Sequence, residues 1–128
     1  MSKKKKIDNK YARLIGAKVI GINKSNYFTE IKLKLKNGKY QSIGVESEGS
    51  YSDWWEVFVN YHPNGEIAYY TENEEDGEKP KVTIKFYNDM GQAVLTITGI
   101  FHNDSGCNYG CYLHVTAEDL GIREFYYV

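Results

Sequence analysis

The stretch YFTEIKLKLKNGKYQSIGV, residues 27–45, contains the pattern that decides the fold. Apolar residues at 31, 33 and 35 alternate with charged residues, which is typical of a strand that is buried on one face only. Asn37-Gly38 then predicts a tight hairpin turn, and apolar residues at 43 and 45 mark the returning strand. The stretch therefore predicts an antiparallel β-hairpin.

The register of this hairpin follows from the apolar positions. A two-residue loop would place Ile43 opposite Lys32, on the solvated face. A three-residue loop over residues 36–38, with Gly38 in the left-handed region, instead places Ile43 opposite Ile31 on the buried face. The same register places Val45 opposite Thr29. We therefore predict a three-residue loop that ends in a glycine bulge.

A second hairpin is predicted from residues 81–87 and 93–97, which alternate in the same way. A four-residue loop over residues 88–91 brings the apolar residues to one face and leaves Gly91 for the left-handed position. The pairs expected from this loop are Ile84 with Leu95 and Val82 with Ile97.

The remaining chain adds further strands and no long amphipathic helix. Strands are predicted near residues 18–23, 109–116 and 123–127, and residues 71–80 are predicted to be an acidic loop. The fold class is mainly β: an antiparallel curled sheet, a small sandwich or a partly open barrel, with room for one short helix.

Residues 50–60 are ambiguous. Ser50 and Asp53 fit a helix capping box, whereas residues 54–59 are rich in aromatic and β-branched types that favour a strand. Residues 62–65 have turn chemistry and could close a hairpin with residues 67–70. Between the two readings of residues 50–60, the capping box favours a short helix.

Composition bounds the size and class of the protein. The chain has 128 residues with a net charge of −1, and 41% of its residues are hydrophobic. These values predict one domain over residues 9–128, preceded by a disordered basic tail at 1–8. The charge balance argues against general nucleic-acid binding. The absence of long apolar runs argues against a membrane protein, and the absence of a signal sequence indicates the cytoplasm.

The two cysteines, Cys107 and Cys111, are expected to be free thiols. They are too few for a four-ligand zinc site, and four-residue spacing along a strand separates them by about 13 Å, beyond disulfide reach. No metal or cofactor is predicted.

Two stretches carry more aromatic and polar turn residues than local structure requires, and we expect them to lie close together. Recognition sites are often assembled from such loops on a rigid β scaffold. The first stretch is residues 46–55 and the second is residues 101–112. The ligand-binding residues predicted from them are Tyr51, Trp54, Trp55, His102, Asn103, Ser105, Tyr109 and Tyr112. Adjacent Trp54 and Trp55 point to opposite sides if they lie on a strand, so about one of them is expected to be functional and the other to be a core residue.

Catalysis is not predicted. The chain lacks the nucleophile-elbow, phosphate-loop, dinucleotide-binding and zinc-protease motifs. An enzymatic alternative would use His102 or Asp104 as a general base and Cys107 as a nucleophile.

A family resemblance rests on four parts of the sequence. These are residues 14–20, the Asn37-Gly38 turn, Glu48-Gly49 with Ser52 and Trp54, and the late block from Asn103 to Gly110 with Tyr112. Over most of residues 12–116 the chain resembles a family of small phage and prophage proteins described only as a domain of unknown function. It departs from the family pattern at Ser50 and Tyr51, where cysteine is usual, and in the late position of Tyr112.

The resemblance implies a phage accessory protein, and the cytoplasm expected for it is that of the host. We therefore expect an inhibitor of bacterial antiviral immunity that sequesters a nucleotide-derived immune signal without cleaving it. The alternative is a protein–protein inhibitor that blocks a host immune protein, such as a CRISPR-Cas nuclease or an immune effector enzyme. An aromatic-lined, basic-rimmed pocket of about 300 Å³ or more would favour the first function, and a flat exposed aromatic patch the second. Both functions are compatible with a homo-oligomer.

Overall fold

The computed structural model describes residues 10–25, 28–48, 53–103 and 111–127. Within these ranges the chain forms nine antiparallel strands, and its only helices are 3-10 turns of three residues. The strands are β1 (Lys18–Lys24), β2 (Phe28–Lys34), β3 (Tyr40–Glu48), β4 (Asp53–Tyr61), β5 (Tyr69–Glu75), β6 (Lys81–Tyr87), β7 (Ala93–Asn103), β8 (Tyr112–Ala117) and β9 (Ile122–Tyr127). The predicted mainly antiparallel β class is confirmed. No helix in the described ranges is long and apolar enough to cross a bilayer.

The strands form two sheets that do not close into a barrel. Sheet A has the order β1-β2-β3-β8-β9 and sheet B has the order β4-β7-β6-β5. The chain passes from sheet A to sheet B between β3 and β4, and returns between β7 and β8. A third junction lies at the start of β1, where the Gly16 amide donates to the Ile67 carbonyl (2.7 Å) and the Ile67 amide donates to the Ala17 carbonyl (2.9 Å).

The core lies between the inner faces of the two sheets. Alternate residues of each central strand are buried there, as the period-2 patterns require. Sheet A contributes Ile31, Leu33, Ile43, Val45, Leu113 and Val115, and sheet B contributes Trp55, Val82, Ile84, Phe86, Leu95, Ile97 and Phe101.

The first hairpin has the predicted register. Ile31 lies opposite Ile43 and Thr29 lies opposite Val45. Gly38 has a φ of +88°, and its amide donates to the Leu35 carbonyl at 2.9 Å. The three-residue loop with a left-handed glycine is therefore confirmed.

The predicted register of the second hairpin is wrong by two residues. Ile84 pairs with Ile97, not with Leu95, and Val82 pairs with Gly99. The ladder contains one extra residue, Val94, because Phe86 pairs with Leu95 whereas Tyr87 pairs with Ala93. A shift of two residues keeps every side chain on its predicted face, so the core assignment is unaffected.

Asn88 explains the different loop. Its amide donates to the Gln92 carbonyl (2.9 Å), which leaves a three-residue loop of residues 89–91 in place of the predicted four. The buried Asn88 side chain accepts the amides of Met90 and Gln92 at 2.9 Å and donates to the Asn64 carbonyl at 2.9 Å. An asparagine that bonds backbone groups in this way acts as part of the turn.

The prediction of a short helix at residues 50–60 is wrong for the part of that segment that the structure describes. Residues 53–60 belong to β4, which makes nine consecutive pairs with β7, from Asp53 opposite Asn103 to Tyr61 opposite Leu95. Pairing with a strand about forty residues away outweighs a local capping pattern, because it satisfies the backbone along the whole segment.

Two further predictions around β5 are wrong. Residues 71–75, expected in an acidic loop, form the second part of β5, which pairs with β6 along its length. The turn at residues 62–65 does not close a hairpin, because β4 pairs with β7 and β5 pairs with β6. The acidic residues are accommodated because β5 is an edge strand with an exposed face.

Candidate functional site

The two unusual stretches meet where the chain crosses between the sheets. Glu48, which belongs to the first stretch and is the last residue of β3, lies opposite Tyr112 of the second stretch. Trp54, on the β4 side of the crossing, lies opposite His102. The predicted proximity of the stretches is therefore confirmed for their described residues.

Trp54 and Trp55 point to opposite faces of β4. Trp55 is 2% exposed and its ring packs on Phe101, with the ring centroids 5.4 Å apart. Gly99 makes room for it, since a Cβ there would lie 3.2 Å from Trp55 Cε3. Trp55, predicted as a ligand-binding residue, is thus a core residue, and Trp54 is the partly exposed member of the pair.

Trp54 is held in a small cluster on the outer face of sheet B. Its ring stacks on the His102 ring with centroids 4.7 Å apart and an interplanar angle of 22°. His102 Nε2 lies 2.8 Å from the Glu56 carboxylate, so one ring nitrogen of the histidine is already hydrogen-bonded. The cluster orients the indole of Trp54 and covers one of its faces.

A cleft of about 330 Å³ lies between the edge strand β4 and the end of sheet A. It is lined by Lys24, Ser25, Phe28, Thr29 and Ser47 from sheet A and by Trp54, Trp55, Glu56, Val57 and Phe58 from β4. Three of its aromatic residues, Phe28, Trp54 and Phe58, are partly or well exposed. The described part of its lining contains one basic side chain, Lys24, and one acidic side chain, Glu56.

The inner end of the cleft is polar. The Trp55 amide donates to Ser47 Oγ at 3.1 Å, which links β4 to β3 across the sheet junction. Trp55 Nε1 is buried and has no hydrogen-bond partner within the described ranges.

Tyr112 belongs to a different surface, on the outer face of sheet A. There the His114 and Phe125 rings stack with centroids 4.2 Å apart, and Tyr112 meets Phe125 edge-on at 5.2 Å. Tyr127, which is 65% exposed, completes this surface, which we call the sheet A aromatic patch (Tyr112, His114, Phe125 and Tyr127). Among the described rings, Tyr112 makes no contact with Trp54, so these two predicted ligand residues do not share one site.

The positions of the other predicted site side chains are not described by the structure. Tyr51, Ser105 and Tyr109 lie outside the described residues, as do Asp104 and Cys107 of the enzymatic alternative, and Asn103 is described only as the last residue of β7. Cys111 is buried, and its Sγ donates to the Asp53 carbonyl at 3.6 Å. Within the described ranges, no three His, Cys, Asp or Glu side chains are grouped closely enough to hold a metal ion.

Lys24, Phe28 and Phe58 were not predicted as site residues. The alternation of apolar and polar residues along their strands accounts for all three residues, so nothing in the sequence marked them as site residues. Only the packing of β4 against the end of sheet A brings them together. The sequence contained a weak indication of the grouping of His114 and Phe125, because aromatic residues at alternate positions of one strand, as in β8 and β9, must share a face.

No family model, curated protein or solved structure matches this chain. The resemblance to the phage family therefore stays a prediction. What the protein binds must be inferred from the chemistry of its own surfaces.

Proposed function

We propose that this protein is a non-catalytic binding protein that sequesters a nucleotide-type ligand in the cleft beside β4, and that it thereby acts as a phage-encoded inhibitor of bacterial antiviral immunity. The observation that carries the proposal is the lining of the cleft: exposed aromatic rings, hydroxyl groups and one ammonium group around a volume of about 330 Å³. Small-ligand sites typically combine apolar and aromatic walls with a few polar groups in such volumes.

The lining matches the parts of a nucleotide. Phe28, Trp54 and Phe58 offer ring surface on which a base stacks, an interaction that tolerates different bases. The Ser47 hydroxyl accepts the Trp55 amide and can donate to the sugar or the base edge, whereas the Ser25 hydroxyl donates to the Phe28 carbonyl and can accept. Lys24 offers one positive charge, which suits a ligand with a single phosphate, such as a cyclic or linear mononucleotide, better than a triphosphate.

The Trp54 cluster supports a pre-oriented binding surface. His102 Nε2 is hydrogen-bonded to Glu56, and the His102 ring is stacked on Trp54. These contacts give His102 a positioning role for the indole. A sequestering protein needs this kind of rigid, pre-oriented surface, because an ordered site loses less entropy on binding.

Titration calorimetry with a panel of cyclic and linear mononucleotides tests the proposal. We expect one class to bind and Trp54→Ala to weaken its affinity about ten- to a hundredfold, from a stacking contribution of about 1–3 kcal/mol. Tyr40→Ala, which removes an exposed ring outside the cleft, is the matched control and should bind normally. Heating the complex should release the ligand chemically intact. Failure of every mononucleotide to bind, or release of a cleaved product, would contradict the proposal.

A second candidate function rests on the sheet A aromatic patch. The His114 and Phe125 rings stack, Tyr127 is 65% exposed, and tyrosine is a residue type that is enriched in protein–protein hot spots. On this alternative the protein blocks a host immune protein through sheet A. Phe125→Ala would then abolish inhibition of the host protein and leave mononucleotide binding unchanged, whereas Trp54→Ala would do the reverse.

A further inference from the structure

Four of the described strands lie at sheet edges, and three of them carry features that prevent pairing with another chain. Natural edge strands are protected by bulges, charged side chains, short length or covering segments. β1 has a register shift between Val19 and Gly21. β5 ends in the acidic sequence Glu74-Glu75. β9 has only six residues, and its Tyr126 is covered by Tyr11.

Within the described ranges, the second half of β4 lacks this protection. The strand is nine residues long, and its last five residues, Val57 to Tyr61, contain no charge, no proline and no register shift. Phe58 and Tyr61 are 39% and 38% exposed. A long apolar edge of this kind is a pairing surface.

The hydrogen bonds of β4 show which backbone groups face outward. The Trp55 amide points away from β7, because it donates to Ser47. The His62 amide points toward β7, because it donates to the Val94 carbonyl. The ladder between them has no register shift, so the outward groups are those of odd-numbered residues. At Val57, Val59 and Tyr61 these groups have no hydrogen-bond partner within the described ranges.

We propose that a second copy of this chain pairs with β4 through an antiparallel ladder centred on Val59. Only this register uses all three open positions of both copies, with Val59 opposite its own counterpart and Val57 opposite Tyr61. It also leaves out Trp55, whose outward amide is already bonded to Ser47. A two-fold interface requires this kind of self-complementary pairing.

Two polar side chains that flank the open stretch, Glu56 within β4 and His62 directly after it, match the same register. Glu56 of each copy faces His62 of the other, because residue numbers across the interface sum to 118. The Glu56 carboxylate lies 2.8 Å from His102 Nε2 through Oε1 and can accept from an imidazole through its other oxygen, whereas a register shifted by two residues in one direction would place Glu56 opposite Asn60. The pairing covers only about five residues a side, so we expect a dimer that dissociates on dilution.

The second copy would complete the candidate site, a consequence that rests on the proposed function. Val57 lines the cleft, and the residue paired with it is Tyr61 of the second copy. A tyrosine from the second copy would thus stand at the mouth of the cleft, on the same face of β4 as Val57. Ligand binding should then strengthen with dimer formation.

Analytical ultracentrifugation tests the pairing without any ligand. We expect wild-type protein to approach twice the chain mass of 14.7 kDa as its concentration rises. Phe58→Lys with Asn60→Lys places like charges opposite one another and should give a monomer. The matched control, Thr71→Lys with Asn73→Lys, adds the same charge to exposed positions of β5 and should remain dimeric. A monomeric wild type at every concentration would overturn the proposal whether or not the cleft binds a nucleotide.

Disulfide trapping tests the register. In this register Phe58 of one copy lies opposite Asn60 of the other. The two residues form a non-hydrogen-bonded pair, whose Cα atoms lie about 4.5 Å apart in an antiparallel sheet. This distance is within the range that a disulfide can bridge. Like residues of the two copies lie on the diagonal at about 7–8 Å, beyond that reach. A mixture of Phe58→Cys and Asn60→Cys proteins should therefore cross-link, and each variant alone should not. Equal cross-linking of each variant alone would refute this register.

Discussion

The hydroxyl oxygens of Tyr11 and Tyr126 lie 2.6 Å apart although 115 residues separate them along the chain. Tyr126 donates its proton to the Glu72 carboxylate, so Tyr11 must be the donor to Tyr126. Lys10 Nζ lies 3.1 and 3.0 Å from the two oxygens of Glu72. This network joins the segment before β1, strand β9 of sheet A and strand β5 of sheet B, and so ties the two sheets together at one edge.

Tyr126→Phe should destabilise the protein by about 1.5–3 kcal/mol, the range for a hydrogen bond to a charged group. Burial raises the pKa of both tyrosines far above the ordinary value, so both hydroxyls keep their protons at neutral pH. The variant leaves the Tyr11 hydroxyl without its acceptor. Urea denaturation measures the difference, with Tyr127→Phe, an exposed neighbour on the same strand, as the control. Equal stability of the two variants would show that the network does not hold the sheets together.

Gly38→Ala should cost about 1 kcal/mol in the free energy of unfolding. Gly38 has a φ of +88°, which is unfavourable for a residue with a Cβ, and a Cβ there would meet nothing within 4 Å. The cost is therefore conformational and not steric. Gly21→Ala also meets nothing within 4 Å but lies outside the left-handed region, so thermal denaturation should find it as stable as the wild type or slightly more stable.

Gly99→Ala should destabilise the core by about 1–3 kcal/mol, the usual cost of overpacking. A Cβ at this position would lie 2.8 Å from Leu113 Cδ2 and 3.2 Å from Trp55 Cε3. Both side chains are buried and cannot move aside freely. Chemical denaturation against wild type measures the effect, and an unchanged midpoint would mean that the sheets separate here more easily than the packing indicates.

Glu74→Gln should raise stability at neutral pH by a few tenths of a kcal/mol, since the side chain is largely solvated. Burial, and secondarily the charge of Glu72, raise the pKa of Glu74 in the folded protein. The folded state therefore binds this proton more tightly than the unfolded state. The resulting stability is present below the ordinary pKa of 4.5 and is lost as pH rises through the folded-state value.

Melting temperatures of Glu74→Gln and wild type, measured from pH 4 to pH 8, provide the test. The two proteins should differ least at the acid end, where the wild-type carboxyl is protonated, and most at neutral pH. A variant less stable than wild type at neutral pH would mean that the Glu74 charge is favourable.

The two hairpins show why one register could be predicted and the other could not. In the first, Gly38 and the apolar pair Ile31 and Ile43 all lie within thirteen residues, so local turn chemistry and burial determine the same answer. In the second, Asn88 bonds to Asn64, a residue 24 positions away, and the strand accommodates a bulge. A contact from another part of the chain thus selected the loop.

The candidate site shows the same division. The alternation of side chains predicts that Trp54 and Trp55 point apart on a strand, and they do. That the segment is a strand at all depends on β7, and that Trp55 is the buried one depends on which face of sheet B meets sheet A. The residues of the segment alone do not indicate its pairing with β7 or its packing against sheet A.

By itself, the sequence determined the antiparallel β class, the first hairpin with its glycine loop and the faces of the central strands, because side-chain alternation and turn geometry act over a few residues. Only the tertiary structure decided the order of strands in the two sheets, the strand conformation of residues 53–60 and the meeting of Lys24 and Phe28 with Trp54 in one cleft. These features depend on backbone pairing and packing between segments far apart in the chain, which become favourable only when the whole core is buried.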